Sequence, residues 1–147
     1  MAIPCTCSKL RQLTRKVTNL YDRYLAPHEV SVGQYSLLVK IGRAGVIGFI
    51  PLAELMGMDR STLSRTLKPL MQAGWIEAGE QDTLQDKRSF TVQLTEPGKK
   101  KCEQCRPDWL RAQRHIDGLL GKEQHQLLFT VLDQANKNLD KESQYDE

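Results

Sequence analysis

A chain of 147 residues, 39% apolar and 27% charged, has the size and composition of a domain with one real hydrophobic core, which excludes disordered, collagen-like and disulfide-dependent classes. Its longest apolar stretches, such as Val46 to Leu55, are broken by Gly and Pro and fall short of the roughly 18–20 residues that cross a bilayer. Met1-Ala2-Ile3-Pro4-Cys5 also lacks the basic start of a secretion signal, so a cytoplasmic location with no membrane partner is expected. Against a net charge of only +3 the basic residues are clustered: five face one acid from Lys9 to Arg23, three face none from Arg60 to Lys68, and the tail 139–147 is acidic.

Leu10, Leu13, Val17, Leu20, Tyr21 and Tyr24 recur at steps of three and four, which predicts an amphipathic helix over 8–25, ended by Ala26-Pro27-His28. A second helix is expected from about Ser31, its N-cap, to Arg43, with Leu37, Leu38 and Ile41 as its apolar stripe and Gly42 or Gly45 as its stop. Pro51 suits a first helical turn, and Leu52-Ala53-Glu54-Leu55-Met56 makes a short helix stopped by Gly57. Asp59 then caps a helix from Arg60 to about Ala73 that stops at Gly74, so two helices joined across a glycine form a helix-turn-helix. Trp75-Ile76-Glu77 and the alternation of Phe90, Val92 and Leu94 read as two strands around the polar loop Gly79 to Lys87, a hairpin wing. From about Glu96 to Leu120, Cys102, Cys105, Trp109, Ala112, Ile116 and Leu119 follow a near-heptad spacing. Leu128, Val131, Ala135 and Leu139 do so after Gly121. Pro107 has no N–H for the Glu103 carbonyl, which predicts a kink or restart. The fold class is mainly α with a small β wing: a winged helix-turn-helix plus a helical dimerisation region.

A helix-turn-helix needs a small residue on its first helix, a turn residue tolerant of positive φ and an apolar anchor on its second, and Ala53, Gly57 and Leu63 take those places. The outward face of the second helix then carries Ser61, Thr62, Ser64, Arg65 and Lys68. Short hydroxyls approach base edges and phosphates, and Arg65 is long enough for a bidentate guanine contact in double-stranded DNA. A solvated helix face would carry similar residues singly, so the motif as a whole, more than any one of them, points to DNA.

The run Pro51-Leu-Ala-Glu-Leu-Met-Gly-Met-Asp-Arg-Ser-Thr-Leu-Ser-Arg-Thr-Leu-Lys-Pro-Leu-Met-Gln-Ala-Gly-Trp-Ile-Glu, followed by Asp86-Lys-Arg and Leu94-Thr-Glu-Pro-Gly98, resembles the signature of the MarR family of bacterial transcriptional regulators. The resemblance implies one domain over 1–147, with a DNA-binding region at about 30–98 and dimerisation helices in 1–29 and 99–147. It also implies a repressor that is released by a ligand or by thiol oxidation, and no enzyme, cofactor or metal. In that family Asp86 and Arg88 would stiffen the wing while arginine reaches the minor groove. Arg88 shares the parity of Phe90 and Val92, so an ion pair at the hairpin base is as good a reading as DNA contact. The chain departs from the family at Ala78-Gly79-Glu80, where an arginine is common, and Asp82 adds negative charge. Lys87 and Arg88 are then the wing's cations.

The resemblance further implies a homodimer on a pseudo-palindromic operator, with the late seams packing on the partner, although the same stripes would also serve an intramolecular core. By the same resemblance a small aromatic ligand would sit near Tyr21, His28, Gln34, Tyr35 and Trp109, although ordinary packing is the better reading for each of them singly. Cys7-Ser-Lys-Leu-Arg-Gln-Leu-Thr-Arg15, with Tyr21 beyond, is similar in spacing to the first helix of the organic hydroperoxide regulators of the family, which makes Cys7 a candidate sensor thiol answering to an oxidant. Arg11 stands where those sensors carry a second tyrosine. Cys5-Thr-Cys7 and Cys102-Glu-Gln-Cys105 leave a rival reading, a redox or zinc protein, and a protein-binding winged helix is a second rival.

Overall fold

The structure, a computed structural model, describes residues 3–79 and 90–143. Helix α1 (Thr6–Leu25) has a divided apolar stripe: Leu20, Tyr21 and Leu25 are buried, whereas Leu10 and Leu13 are exposed. A 3-10 turn, Ala26–His28, follows, and Asp22 of α1 accepts the Val32 N–H at 2.7 Å to join α1 to the next helix. Helix α2 (Val32–Ala44) opens on a full capping box. The Gln34 N–H donates to Ser31 Oγ at 3.1 Å, and the Ser31 N–H donates to Gln34 Oε1 at 3.0 Å. Leu37, Leu38 and Ile41 are completely buried, as their spacing predicts.

Strand β1 (Val46–Gly48) comes next, an element the periodicity does not show, and it turns the expected hairpin into a three-stranded antiparallel sheet. Its partner is β3 (Thr91–Leu94), which lies between β1 and β2 (Ile76–Ala78) with Val46 opposite Gln93 and Ile76 opposite Leu94. Three residues are too few to display alternation, and β1 exists because β3 offers it a free edge. Helix α3 (Phe49–Met56) starts two residues before Pro51, since the Phe49 N–H is satisfied by the Phe90 carbonyl at 2.9 Å. Pro51 still falls in the first turn, where no intrahelical partner is lost. Helix α4 spans Arg60–Gln72, and β2 begins at Ile76, one residue later than the alternation suggests.

The main core gathers α2, α3, α4 and the sheet around Leu38, Leu52, Leu63, Leu67, Leu70 and Val92. A second cluster joins Leu25, Val30, Tyr35 and Cys105, with Trp109 against it, and Trp75 packs on both.

Helix α5 (Glu96–Leu120) continues through Pro107 without the expected restart. Buried Cys105 lies on one side of the proline. On the other, Trp109 has its ring centroid 6.1 Å from Tyr35 and 6.4 Å from Tyr21. These tertiary contacts outweigh a local penalty of roughly 3 kcal/mol. Contact density divides the chain into two units, Met1–Trp109 and Leu110–Glu147. Within the second, Gly121 ends α5 and α6 (Lys122–Ser143) follows, with the His125 ring tilted against Phe129 at a centroid distance of 4.5 Å and its Nε2 3.1 Å from Asp117. Leu127, Val131 and Leu139 of α6 are exposed by more than half. No described helix is long and apolar enough to cross a membrane.

Candidate nucleic-acid interface

Helix α4 is anchored from below and dressed from above. Leu63, Leu67 and Leu70, at steps of four and three, are fully buried, and at about 1.5–3 kcal/mol each their burial supplies roughly 5–9 kcal/mol to hold the helix down. Ala53, buried on α3, and Gly57, at φ 62° in the turn, give the close crossing expected of them, since the left-handed backbone at Gly57 suits a residue without Cβ. Met56 and Met58 pack at the edge of this core.

The first turn of α4 is fixed by Asp59, whose Oδ1 accepts the Thr62 N–H at 2.7 Å and the Ser61 hydroxyl at 2.9 Å. The Thr62 N–H, then the Ser61 hydroxyl, hold this carboxyl below the usual carboxylate value. Anchoring by the three leucines turns Ser61, Ser64, Arg65 and Lys68 to solvent, with Thr62 half-buried beside them. Arg60, also exposed, adds a third cation that the motif alone did not single out, and α4 contains no acidic residue. Ser61 is engaged with the cap, so its hydroxyl must leave Asp59 or share it to meet another acceptor.

The C-terminal end of α4 meets the start of α5 in a knot of backbone contacts. The Thr95 hydroxyl donates to the Gly74 carbonyl at 2.5 Å and accepts the Gly98 N–H at 3.1 Å, while the Thr95 N–H donates to the Trp75 carbonyl at 3.1 Å. Gly98 lies against Trp75 so closely that a Cβ there would overlap the carbonyl oxygen and stand 2.8 Å from its carbon. Lys101 sits 5.0 Å over the Trp75 ring and donates to the His28 carbonyl at 3.2 Å. Leu94-Thr-Glu-Pro-Gly98 carries a local signal of its own beside the family resemblance, since Thr followed by Pro and a helical run marks a helix start.

The other singled-out residues are distributed unevenly. Asp86, Lys87 and Arg88 lie outside the described residues, as do Glu80 and Asp82. Tyr21, Tyr35 and Trp109 do converge, and His28 Nε2 is 2.8 Å from Oδ2 of Asp108, the residue that precedes Trp109. Gln34 is committed to the α2 capping box. Burial, then the neighbouring Cys102 and Cys105, pushes the Tyr35 phenol up, and burial first of all raises both thiols. Cys5 and Cys7 are exposed at the start of α1. Fourteen residues of helix, about 21 Å, separate Cys7 from Tyr21, so one chain does not bring the two together. Among the described residues no three His, Cys, Asp or Glu side chains group to hold a metal, and the four cysteines are free.

The MarR family model matches residues 30–90. The multiple antibiotic resistance protein MarR of Salmonella typhimurium is 34% identical over 93 residues, and the chain spans 63% of that protein's length and 63% of its own in the match. An uncharacterised HTH-type transcriptional regulator of Bacillus cereus is 25% identical over 134 residues, 90% of this chain and 88% of that one. Among solved structures, a MarR mutant from E. coli complexed with operator DNA superposes with a TM-score of 0.78 at 26% identity, covering 87% of this chain and 91% of that one. The M. tuberculosis regulator MosR, in complex with DNA, gives 0.78 at 25% identity, covering 92% and 98%.

Proposed function

We propose that this chain is a member of the MarR family and a sequence-specific DNA-binding transcriptional regulator, a repressor released by a small ligand or by thiol oxidation. The observation that carries the proposal is the outer face of α4: Ser61, Ser64, Arg65 and Lys68 exposed together, without an acid on the helix, over three buried leucines. Ser61, Thr62 and Ser64 approach base edges and phosphates, Arg65 reads a guanine, and Lys68 neutralises phosphate. Lys87 and Arg88 of the wing add cationic contacts, with Asp86 steadying Arg88. A protein-binding winged helix would be expected to show an apolar face where α4 shows hydroxyls and cations.

Residues 30–98 form the reading unit in this proposal, and 1–29 with 99–147 form the dimerisation region. Leu10 and Leu13 of α1 and Leu127 and Val131 of α6 are exposed in the single chain, which favours a homodimer built on these helices over a purely internal core. A small aromatic ligand would act near Tyr35, Trp109 and His28. Cys7, exposed in the first turn of α1, is the thiol an oxidant reaches.

A mobility-shift titration against the protein's own promoter region tests the proposal. Specific complexes at roughly 10⁻⁸–10⁻¹¹ M are expected, and equal affinity for unrelated DNA at physiological salt would refute it. Repeating the titration with an organic hydroperoxide on the parent and on Cys7→Ser separates the two release routes. Oxidation that weakens only the parent assigns release to Cys7, and oxidation that leaves the parent unchanged assigns it to a ligand.

A further inference from the structure

The knot at the foot of α4 is built more tightly than holding two helix ends requires. One hydroxyl oxygen, Thr95 Oγ1, serves as donor to Gly74, which ends the α4 turn, and as acceptor for Gly98 in the first turn of α5. The residue between, Trp75, takes the Thr95 N–H on its carbonyl, receives the Gly98 backbone in contact, lies under Lys101 and packs on both core clusters. The N-terminal half of α5 therefore grips the C-terminal end of α4, while the face that meets DNA lies toward the other end of the same helix.

The lever is long. Helix α4 has 13 residues, about 20 Å, so a tilt of only about 5° at the knot displaces Ser61 by about 1.7 Å. Hydrogen bonds to base edges tolerate a few tenths of an ångström, and a displacement of that size abolishes them. We propose that Thr95 is a positioning residue for DNA reading, which fixes the angle of α4 through its hydroxyl, donating to the Gly74 carbonyl and accepting the Gly98 N–H, without touching the nucleic acid. The same knot passes any movement of α5 between Glu96 and Trp109 to the reading helix. This inference rests on the regulator reading given above.

The experiment measures affinity of the full-length protein for a duplex of its promoter region at 20 °C, where melting curves show each variant folded. Thr95→Ala and the shape-preserving Thr95→Val are expected to bind about tenfold more weakly, and Thr95→Ser to bind within twofold of the parent. A purely structural role would alter melting while leaving the affinity of the folded fraction alone. In a double-mutant cycle, adding Arg65→Ala to Thr95→Val is expected to lose less than the product of the two single losses, because a displaced α4 has already forfeited part of the Arg65 contact. If Thr95→Ala does not fold, Thr95→Val and Thr95→Ser carry the comparison. Should the parent bind and Thr95→Val bind equally tightly, or should the two losses multiply, the positioning role is refuted while the regulator reading stands. Should the parent itself show no preference for promoter DNA, the regulator reading fails and takes this inference with it.

Discussion

Replacing Gly98 by Ala places a methyl group where the structure has no room, and the effect can be worked from the neighbours. The added Cβ overlaps the Trp75 carbonyl oxygen and stands 2.8 Å from its carbon and 3.2 Å from its Cα, all backbone atoms that no rotamer change can move aside. To clear them the start of α5 must withdraw, which stretches the Thr95 N–H bond to Trp75 and the Thr95 hydroxyl bond to Gly74. Each such bond is worth about 1 kcal/mol, and disturbing the cap on Gly98 adds about 1 kcal/mol more. Alanine recovers up to about 1 kcal/mol of backbone entropy, leaving a net loss of about 2 kcal/mol. At 2–4 °C per kcal/mol this lowers the melting temperature by about 4–8 °C. Gly118 provides the control: it lies in the same helix, it is exposed, and a Cβ there meets nothing within 4 Å. Gly118→Ala is therefore expected to raise stability by about 0.5–1 kcal/mol. Calorimetry or circular-dichroism melts of both variants decide the matter, because helix propensity alone gives the two substitutions the same sign. A Gly98→Ala protein as stable as the parent would refute the close approach of α5 to Trp75.

Arg65→Ala is expected to weaken promoter binding by about 1–3 kcal/mol and to relax preference at one base pair, measured by titration against a panel of single-base operator variants. A homodimer is expected at micromolar concentration in sedimentation runs, occupying half-sites about one helical turn apart, whereas Val131→Glu on the exposed stripe of α6 should shift it toward monomer. Stability is expected to fall as the pH rises above about 9. The half-buried thiol of Cys102, the buried thiol of Cys105 and the phenol of Tyr35 all have values raised above their ordinary 9.0 and 10.0, so the stability they contribute is complete below those values and is lost as pH rises through the raised ones. Melts between pH 7 and 11 on the parent and on Tyr35→Phe check this, and Tyr35→Phe should flatten the part of the decline above pH 10.

The helices were legible in the residues because their signals are local. A capping Ser31, a capping Asp59, the leucines at 63, 67 and 70 and the glycines at 57 and 74 lie within a turn or two of what they specify, and the structure repeats them within two residues. The chemistry of α4 followed for the same reason, since its periodicity fixes which side chains face away from the buried leucines. What the spacing could not supply depends on partners remote in sequence. Strand β1 is three residues long and forms because β3, more than forty residues later, leaves an edge for it. Helix α5 passes through Pro107 because Cys105 and Trp109 are held by α1 and α2. Gln34 appears on the chain as a free polar side chain near a junction, and only the folded turn shows it spent on Ser31. Cys7 and Tyr21 lie on one helix, yet the rise of that helix keeps them apart. The knot of Gly74, Trp75, Thr95 and Gly98 joins residues twenty or more positions apart, so its tightness is a property of two helix ends brought together by the sheet, and no local pattern in the chain carries it.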